Sequence, residues 1–275
     1  IVLDGSYFSS GLVLHGPSGS HNPYDAHNSA LAVNFNTLCV RIDERGGIAS
    51  AEPQTPLTAY ARKLAEKSIQ RGEARLNAAP TQKAGMLYAG HLIKAFLEKA
   101  GIEVAGKVIA GHPASTNGTL LYRHHSREAL AGLVKLVFEY SNNFMANQIF
   151  LVLGAERFGP PADAAKSRSA VSEYLSSLDL VNIHIEEGSG LSRRTRITAR
   201  QMTTALNHFR PYRFLLNSSK GVWFKTGSLD GVKTLAGYIE RKDAEPLTFV
   251  IMLQGRKYHA NDCTLILDAL KENLN

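Results

Sequence analysis

The chain has 275 residues, 44% of them hydrophobic and 20% charged, which is enough apolar material for one large domain or two modest ones and excludes a mainly disordered chain. Lysines and arginines number 31 against 24 aspartates and glutamates, a net charge of +7, and no apolar run reaches the length that crosses a bilayer. A basic balance suits an anionic partner such as nucleic acid, an acidic membrane surface or a polyanionic cell wall, and equally a solvated surface without one. The densest basic cluster is Arg193, Arg194 and Arg196, and no nucleic-acid-binding module accompanies it. Cys39 and Cys263 have neither CxxC nor metal-type spacing, and their apolar contexts suit buried thiols; an oxidising compartment would permit a disulfide.

The chain opens on Ile1-Val2-Leu3-Asp4, which reads as the middle of a strand. Gly16 to Pro23 is a loop by composition. Ala30 to Ile42 has the apolar and β-branched content of a strand, and Leu57 to Ile69 suits a helix after the interruptions at Pro53 and Pro56. A helix-friendly run begins at Gly85 and stops at Gly101; Val104 to Ile109 and Leu120-Leu121-Tyr122 are strand-like. Arg127 to Tyr140, with apolar residues at 130, 133, 134, 137 and 138, has a helical period. Phe144 to Leu153, Ala162 to Leu178 and Thr198 to His208 continue the helices. Val222 to Thr226, Lys233 to Glu240 and Leu247 to Leu253 are short strands separated by turn residues, and a helix from Asp262 to Leu274 follows. Helices followed by an antiparallel meander and a closing helix predict an α+β domain.

Two short patterns carry the chemical information. Ser141-Asn142-Asn143 falls between two helical runs, and Lys225-Thr226-Gly227, followed by Ser228, closes the first strand of the meander. Each alone has a bland reading, a helix cap for the first and a strand end for the second. Their order and flanks go further. Tyr140 to Gln148 (YSNNFMANQ), Gly188 to Arg193 (GSGLSR), Lys225 to Leu229 (KTGSL), Leu235 to Tyr238 (LAGY) and, upstream, Ser29 to Asn36 (SALAVNFN) together resemble the D-alanyl-D-alanine carboxypeptidase/endopeptidase family, the class C low-molecular-mass penicillin-binding proteins. Glu187 stands where that family usually has aspartate, and Gly188-Ser189-Gly190 reads best as a backbone-shaping loop.

The resemblance implies an α+β penicillin-binding transpeptidase-like core of helices and antiparallel sheet over residues 116–275, with 1–115 part of the family's inserted, non-catalytic region. It implies a serine-type D-Ala-D-Ala carboxypeptidase, and a DD-endopeptidase, working through an acyl-enzyme on peptidoglycan stem peptides in the periplasm or cell envelope. β-Lactams would acylate it, and no cofactor is implied. Ser141 would relay a proton near the leaving nitrogen, and Asn143 would hydrogen-bond the substrate amide and the catalytic lysine. Lys225 would set a positive charge beside the substrate carboxylate and the Ser141 hydroxyl. Thr226 would bind the terminal carboxylate, Gly227 would let the substrate backbone approach the strand, and the Ser228 N–H would give half of the oxyanion hole.

The family's nucleophile and base are the serine and lysine of Ser-x-x-Lys, and these 275 residues contain no such pattern; Asn217-Ser218-Ser219-Lys220 comes nearest. The expectation is a chain whose acylating half lies upstream, so that protein of this sequence alone is inactive. The alternative is a non-catalytic peptidoglycan-binding relative that keeps the cleft without the nucleophile. A metal hydrolase is disfavoured, because adjacent His124 and His125 on a strand would face opposite ways and there is no HExxH.

Overall fold

In a computed structural model that describes residues 1–14, 22–68, 71–112, 118–255, 259 and 261–273, the chain packs as two units, each with its own core. In chain order the first elements are β1 (Val2–Leu3), β2 (Thr37–Ile42), β3 (Ile48–Ser50), α1 (Ala59–Ser68), β4 (Gly72–Asn77), α2 (Gln82–Lys99) and β5 (Ile109–Ala110). Helices α3 (Leu130–Tyr140), α4 (Asn143–Phe158), α5 (Ala164–Ser177) and α6 (Ala199–Phe209) follow. The chain closes with β6 (Asn217–Ser219), β7 (Val222–Leu229), β8 (Val232–Arg241), β9 (Ala244–Gln254) and α7 (Asp262–Glu272).

The first unit takes in Ile1–His124, Asn143–Ala170 and Glu186–Ser192. Strand β2 is the middle of a β3-β2-β4 antiparallel sheet, and Leu38 and Val40 on it bury against Ala61 and Ala65 of α1 and Tyr88 and Leu92 of α2. Thr81 caps α2 by accepting from the Ala84 N–H, and Gly101, in the left-handed region, stops it as predicted. A second core joins Phe8, Leu12 and Leu14 to Leu151 and Ala155 of α4. The predicted strand from Ala30 begins only at Thr37, because Asn34, Phe35 and Asn36 all adopt left-handed φ and turn the chain sharply first. Of Val104 to Ile109 only the end is a strand, where β5 pairs in parallel with β1. Leu120-Leu121-Tyr122 is not a strand: no described strand pairs with it, and Leu121 is 93% exposed. Most of the loop predicted at Gly16 to Pro23 lies outside the described residues, as do Ile69 and Leu274.

The second unit takes in His125–Asn142, Val171–Ile185 and Arg193–Asn275. Its sheet has the order β6-β7-β8-β9, all antiparallel. Because side chains alternate along a strand, the register gives the sheet two different faces. Val222, Leu235, Ile239, Phe249 and Ile251 share one face and pack against Leu267 of α7. Lys225, Ala236 and Tyr238 project from the other, where the fully buried Tyr238 hydroxyl donates to the Leu206 carbonyl of α6. Thr198 opens α6 with a reciprocal capping box to Gln201. Gly237 has no room for a side chain: a Cβ would sit 1.9 Å from the Trp223 carbonyl oxygen on β7. Cys39 and Cys263 are free thiols, partly covered instead of fully buried, and burial pushes both up from the usual thiol range.

Candidate active site

Helix α3 ends because Ser141 leaves the helical region: its φ of 50° and ψ of 45° are left-handed, and its N–H turns back to the Val137 carbonyl. A left-handed residue with a Cβ costs about 1–2 kcal/mol, and such strain concentrates where a side chain must be aimed. Here it turns the Ser141 hydroxyl to the Lys225 ammonium, which donates to Oγ across 2.8 Å. Lys225 also donates to the Thr226 carbonyl at 2.7 Å. Two of its three ammonium protons are thus held by described groups. The two residues that sequence reasoning paired, 84 positions apart, meet within one unit.

The setting of Lys225 follows from the strand register. Its side chain lies on the sheet face away from α7, at the wall of a cavity of about 460 Å³ that it shares with Thr226, Thr234 and Ala236 of the sheet. The rest of the wall is largely apolar, including Phe138 of α3, Leu175 of α5, and Met202, Leu206 and Phe209 of α6. Neither α3 nor α6 has a fully buried residue, although α3 is almost wholly apolar. Partial removal from water lowers the pKa of the Lys225 ammonium below its ordinary 10.5. The result is an ammonium that gives up its charge more readily than a surface lysine, hydrogen-bonded to a hydroxyl.

Strand β7 extends beyond its partner on one side. β6 pairs only with Val222–Phe224, so the edge from Lys225 to Leu229 carries no described strand opposite β8. Thr226 and Ser228 are exposed on that stretch, and the Ser228 hydroxyl accepts from Lys233 at 2.8 Å. Gly227 faces Thr234 across the ladder, and a Cβ there would lie 2.4 Å from the threonine Oγ1. Such an edge offers backbone N–H and C=O groups to an extended peptide.

Asn143, the remaining predicted site residue, opens α4 and belongs to the first unit. One helical turn further, Asn147 is buried, and its Oδ1 accepts from the Gly188 and Ser189 N–H groups at 2.8 and 3.0 Å. Glu187 completes this loop, its carboxylate accepting from the Ser189 and Ser192 N–H groups and the Ser189 hydroxyl. Sequence reasoning gave neither Asn147 nor Glu187 a role; a glutamate before Gly-Ser-Gly was the signal, since loop N–H groups need an acceptor when buried. Of the basic cluster, Arg193 is spent on the Asp230 carbonyl and Arg196 on the carbonyls of Arg193 and Thr195. Among the described residues, no three histidine, cysteine or carboxylate side chains are grouped to hold a metal ion.

The profile of the D-Ala-D-Ala carboxypeptidase 3 (S13) family matches residues 66–217 and 211–273. The chain belongs to that family. This S13 chain is 27% identical over 164 residues to D-alanyl-D-alanine carboxypeptidase DacB of Haemophilus influenzae, an alignment covering 50% of the chain and 34% of DacB. The S13 chain therefore spans about a third of that relative's length. Its fold is similar to the crystal structure of penicillin binding protein 4 (dacB) from Haemophilus influenzae, with a TM-score of 0.72 at 22% identity over 95% of this chain and 70% of that one. A complex of the same penicillin binding protein with a β-lactam gives a TM-score of 0.63 at 21% identity, over 84% and 65% of the two chains. At these identities the likeness is one of fold, and it bears out the expected α+β class with helices and antiparallel sheet.

Proposed function

We propose that the intact protein is a serine-type D-Ala-D-Ala carboxypeptidase, also able to act as a DD-endopeptidase, that cleaves peptidoglycan stem peptides in the periplasm or cell envelope and is acylated by β-lactams. The observation that carries the reading is the 2.8 Å hydrogen bond from Lys225 to Ser141, made by the two predicted motifs of an S13 chain. In this reading the acylating serine and its lysine base are supplied by a segment outside these 275 residues. The apolar hollow beside Lys225 supports it: a further helix laid there would bury Phe138, Leu206 and Phe209 and bring a nucleophile next to the Lys225–Ser141 pair.

The residues then divide the work. Lys225 and Ser141 pass the nucleophile's proton to the leaving amine, with the lowered lysine pKa easing its release. The terminal carboxylate is held by the Lys225 charge and the Thr226 hydroxyl. The peptide extends along the open edge at Gly227, and the Ser228 N–H donates to the oxyanion. Asn143 binds the substrate amide. Residues 116–275 form the transpeptidase-like domain, and 1–115 come from the inserted region.

Labelling with a fluorescent penicillin tests this. The intact gene product should retain the label in a denaturing gel, and protein of this 275-residue sequence alone should not. An intact protein that carries Ser-x-x-Lys yet never labels sinks the enzyme reading. An intact protein without that motif, which binds stem peptide and leaves it uncleaved, is the non-catalytic relative instead.

A further inference from the structure

The amino end of α4, which carries Asn143, is gripped from the side by a partly buried amide cluster, to none of whose members the motifs above assign a role. Asn28 donates through Nδ2 to the Phe144 carbonyl at 3.0 Å and to Gln148 Oε1 at 2.9 Å. Gln148 returns the bond, donating through Nε2 to the Ser29 carbonyl at 3.0 Å. Two amides and one helix carbonyl thus close a ring around the first turn of α4. Asn28 is nearly buried and Ser29 wholly so, which strengthens each bond relative to one made in water.

A second tier holds the first. Asn36 donates to the Ser29 hydroxyl at 2.9 Å and to the His27 carbonyl at 2.8 Å, and the Ser29 hydroxyl donates to the Leu31 carbonyl at 2.7 Å. Asn36 reaches this position because Asn34, Phe35 and Asn36 take φ values of 49°, 58° and 53° in succession. Three left-handed residues in a row, one of them a phenylalanine, cost several times the usual strain and persist only where surrounding bonds over-determine them. Their backbone is tied down in turn, the Ala78 N–H donating to the Asn36 carbonyl and the His27 N–H to the Ala79 carbonyl. Gly85 of α2 leaves room for the Asn36 amide, which a Cβ would approach to 2.6 Å.

We infer that Asn28 and Gln148 are positioning residues for the reaction proposed above: through the first turn of α4 they fix where the Asn143 side chain is presented. The inference rests on the DD-peptidase reading and extends it, since it gives residues of the inserted region a part in substrate binding. A displacement of about 1 Å at a group that must meet the substrate amide lowers a rate by one to two orders of magnitude, so the grip has a kinetic signature.

Gln148→Glu gives the sharpest test. An ionised glutamate still accepts from Asn28 and cannot donate to the Ser29 carbonyl; once protonated it can. In the intact protein, the second-order rate of acylation by a fluorescent penicillin should fall about tenfold or more in Gln148→Glu near pH 8, as in Gln148→Ala. The Gln148→Glu rate, taken as a ratio to wild type, should then recover as pH is lowered towards about 5, since burial raises a carboxyl pKa, whereas the Gln148→Ala ratio stays flat. Leu92→Ala, in the core formed with Tyr88 and Leu38, lowers the Tm without touching the cluster and should leave the rate within about twofold. On the 275-residue chain, amide hydrogen exchange at residues 146–149, whose N–H groups bond the carbonyls of the first turn, should quicken in Gln148→Ala and not in Leu92→Ala. Wild-type rates in both Gln148 variants, or a loss that merely tracks Tm as Leu92→Ala does, overturns the positioning role while leaving the enzyme reading intact. A wild-type intact protein that never labels removes the reading, and the role with it.

Discussion

The Lys225 ammonium donates to the Ser141 hydroxyl across 2.8 Å, joining the end of a helix to the second strand of a four-stranded sheet. Neither residue is placed by its own propensity. Ser141 is held in a left-handed conformation, and Lys225 is turned by strand parity toward an apolar hollow.

If that pair relays a proton, Ser141→Ala and Lys225→Ala in the intact protein should each lower the rate of β-lactam acylation about 100-fold or more, the range found when a single group that stabilises a transition state is removed. Because the two act through one hydrogen bond, the double variant should lose much less than the product of the two losses. Additive losses in a labelling-rate cycle would mean that the groups act separately.

Lys225 also predicts a pH dependence. Burial disfavours its charged form, so the folded protein releases this proton below 10.5, before the unfolded chain does. Non-covalent binding of a stem peptide with a free carboxylate should therefore weaken on raising the pH, with a midpoint below 10.5, and titration calorimetry across that range reads it. Lys225→Arg should abolish the decline, because a guanidinium stays charged. For stability the sign is opposite to that of a tyrosine: the folded state carries a penalty for the buried charge, which disappears as pH rises from the lowered pKa towards 10.5.

Tyr238 makes the contrasting case. Its buried phenol is pushed up to about 12 from 10.0 and donates to the Leu206 carbonyl at 2.6 Å. Its contribution is fully present below the unfolded value of 10.0 and is lost as pH rises towards about 12. Tyr238→Phe should cost about 1 kcal/mol at neutral pH, by removing this hydrogen bond. In denaturant unfolding, the gap between variant and wild type should narrow near the alkaline end; a constant gap would contradict this account.

Two glycines should respond differently to alanine. At Gly188 a Cβ would lie 2.5 Å from the Ala146 backbone oxygen and 2.7 Å from Phe150 Cβ, neither of which has a free torsion to yield. Gly188→Ala should lower stability by about 1–3 kcal/mol and detach the loop that Asn147 holds. At Gly227 the obstacle is the Thr234 side-chain oxygen, which can rotate away. Gly227→Ala should leave the Tm nearly unchanged and act on peptide binding instead, a difference that calorimetry and a binding titration separate.

The sequence by itself determined the long helices and the meander, because apolar spacing at 130, 133, 134, 137 and 138 and turn residues such as Leu229-Asp230-Gly231 are local signals. It also determined which motifs to pair, since Ser141-Asn142-Asn143 and Lys225-Thr226-Gly227 are recognisable by composition and order. Tertiary structure decided the rest. The polar strand β4 (GEARLN) has no strand signal of its own and exists because β2 lies beside it, while Leu120-Leu121-Tyr122, with the stronger propensity, has no described partner and forms none. Alternation along β7 shows that Lys225 and Phe224 face opposite ways, and only packing reveals that α7 covers the phenylalanine's face and the hollow meets the lysine's. Asn36 and Gln148 stand in stretches that carried the resemblance, yet their joining through Asn28 was not legible, since a hydrogen bond between residues 120 positions apart leaves no periodicity to read.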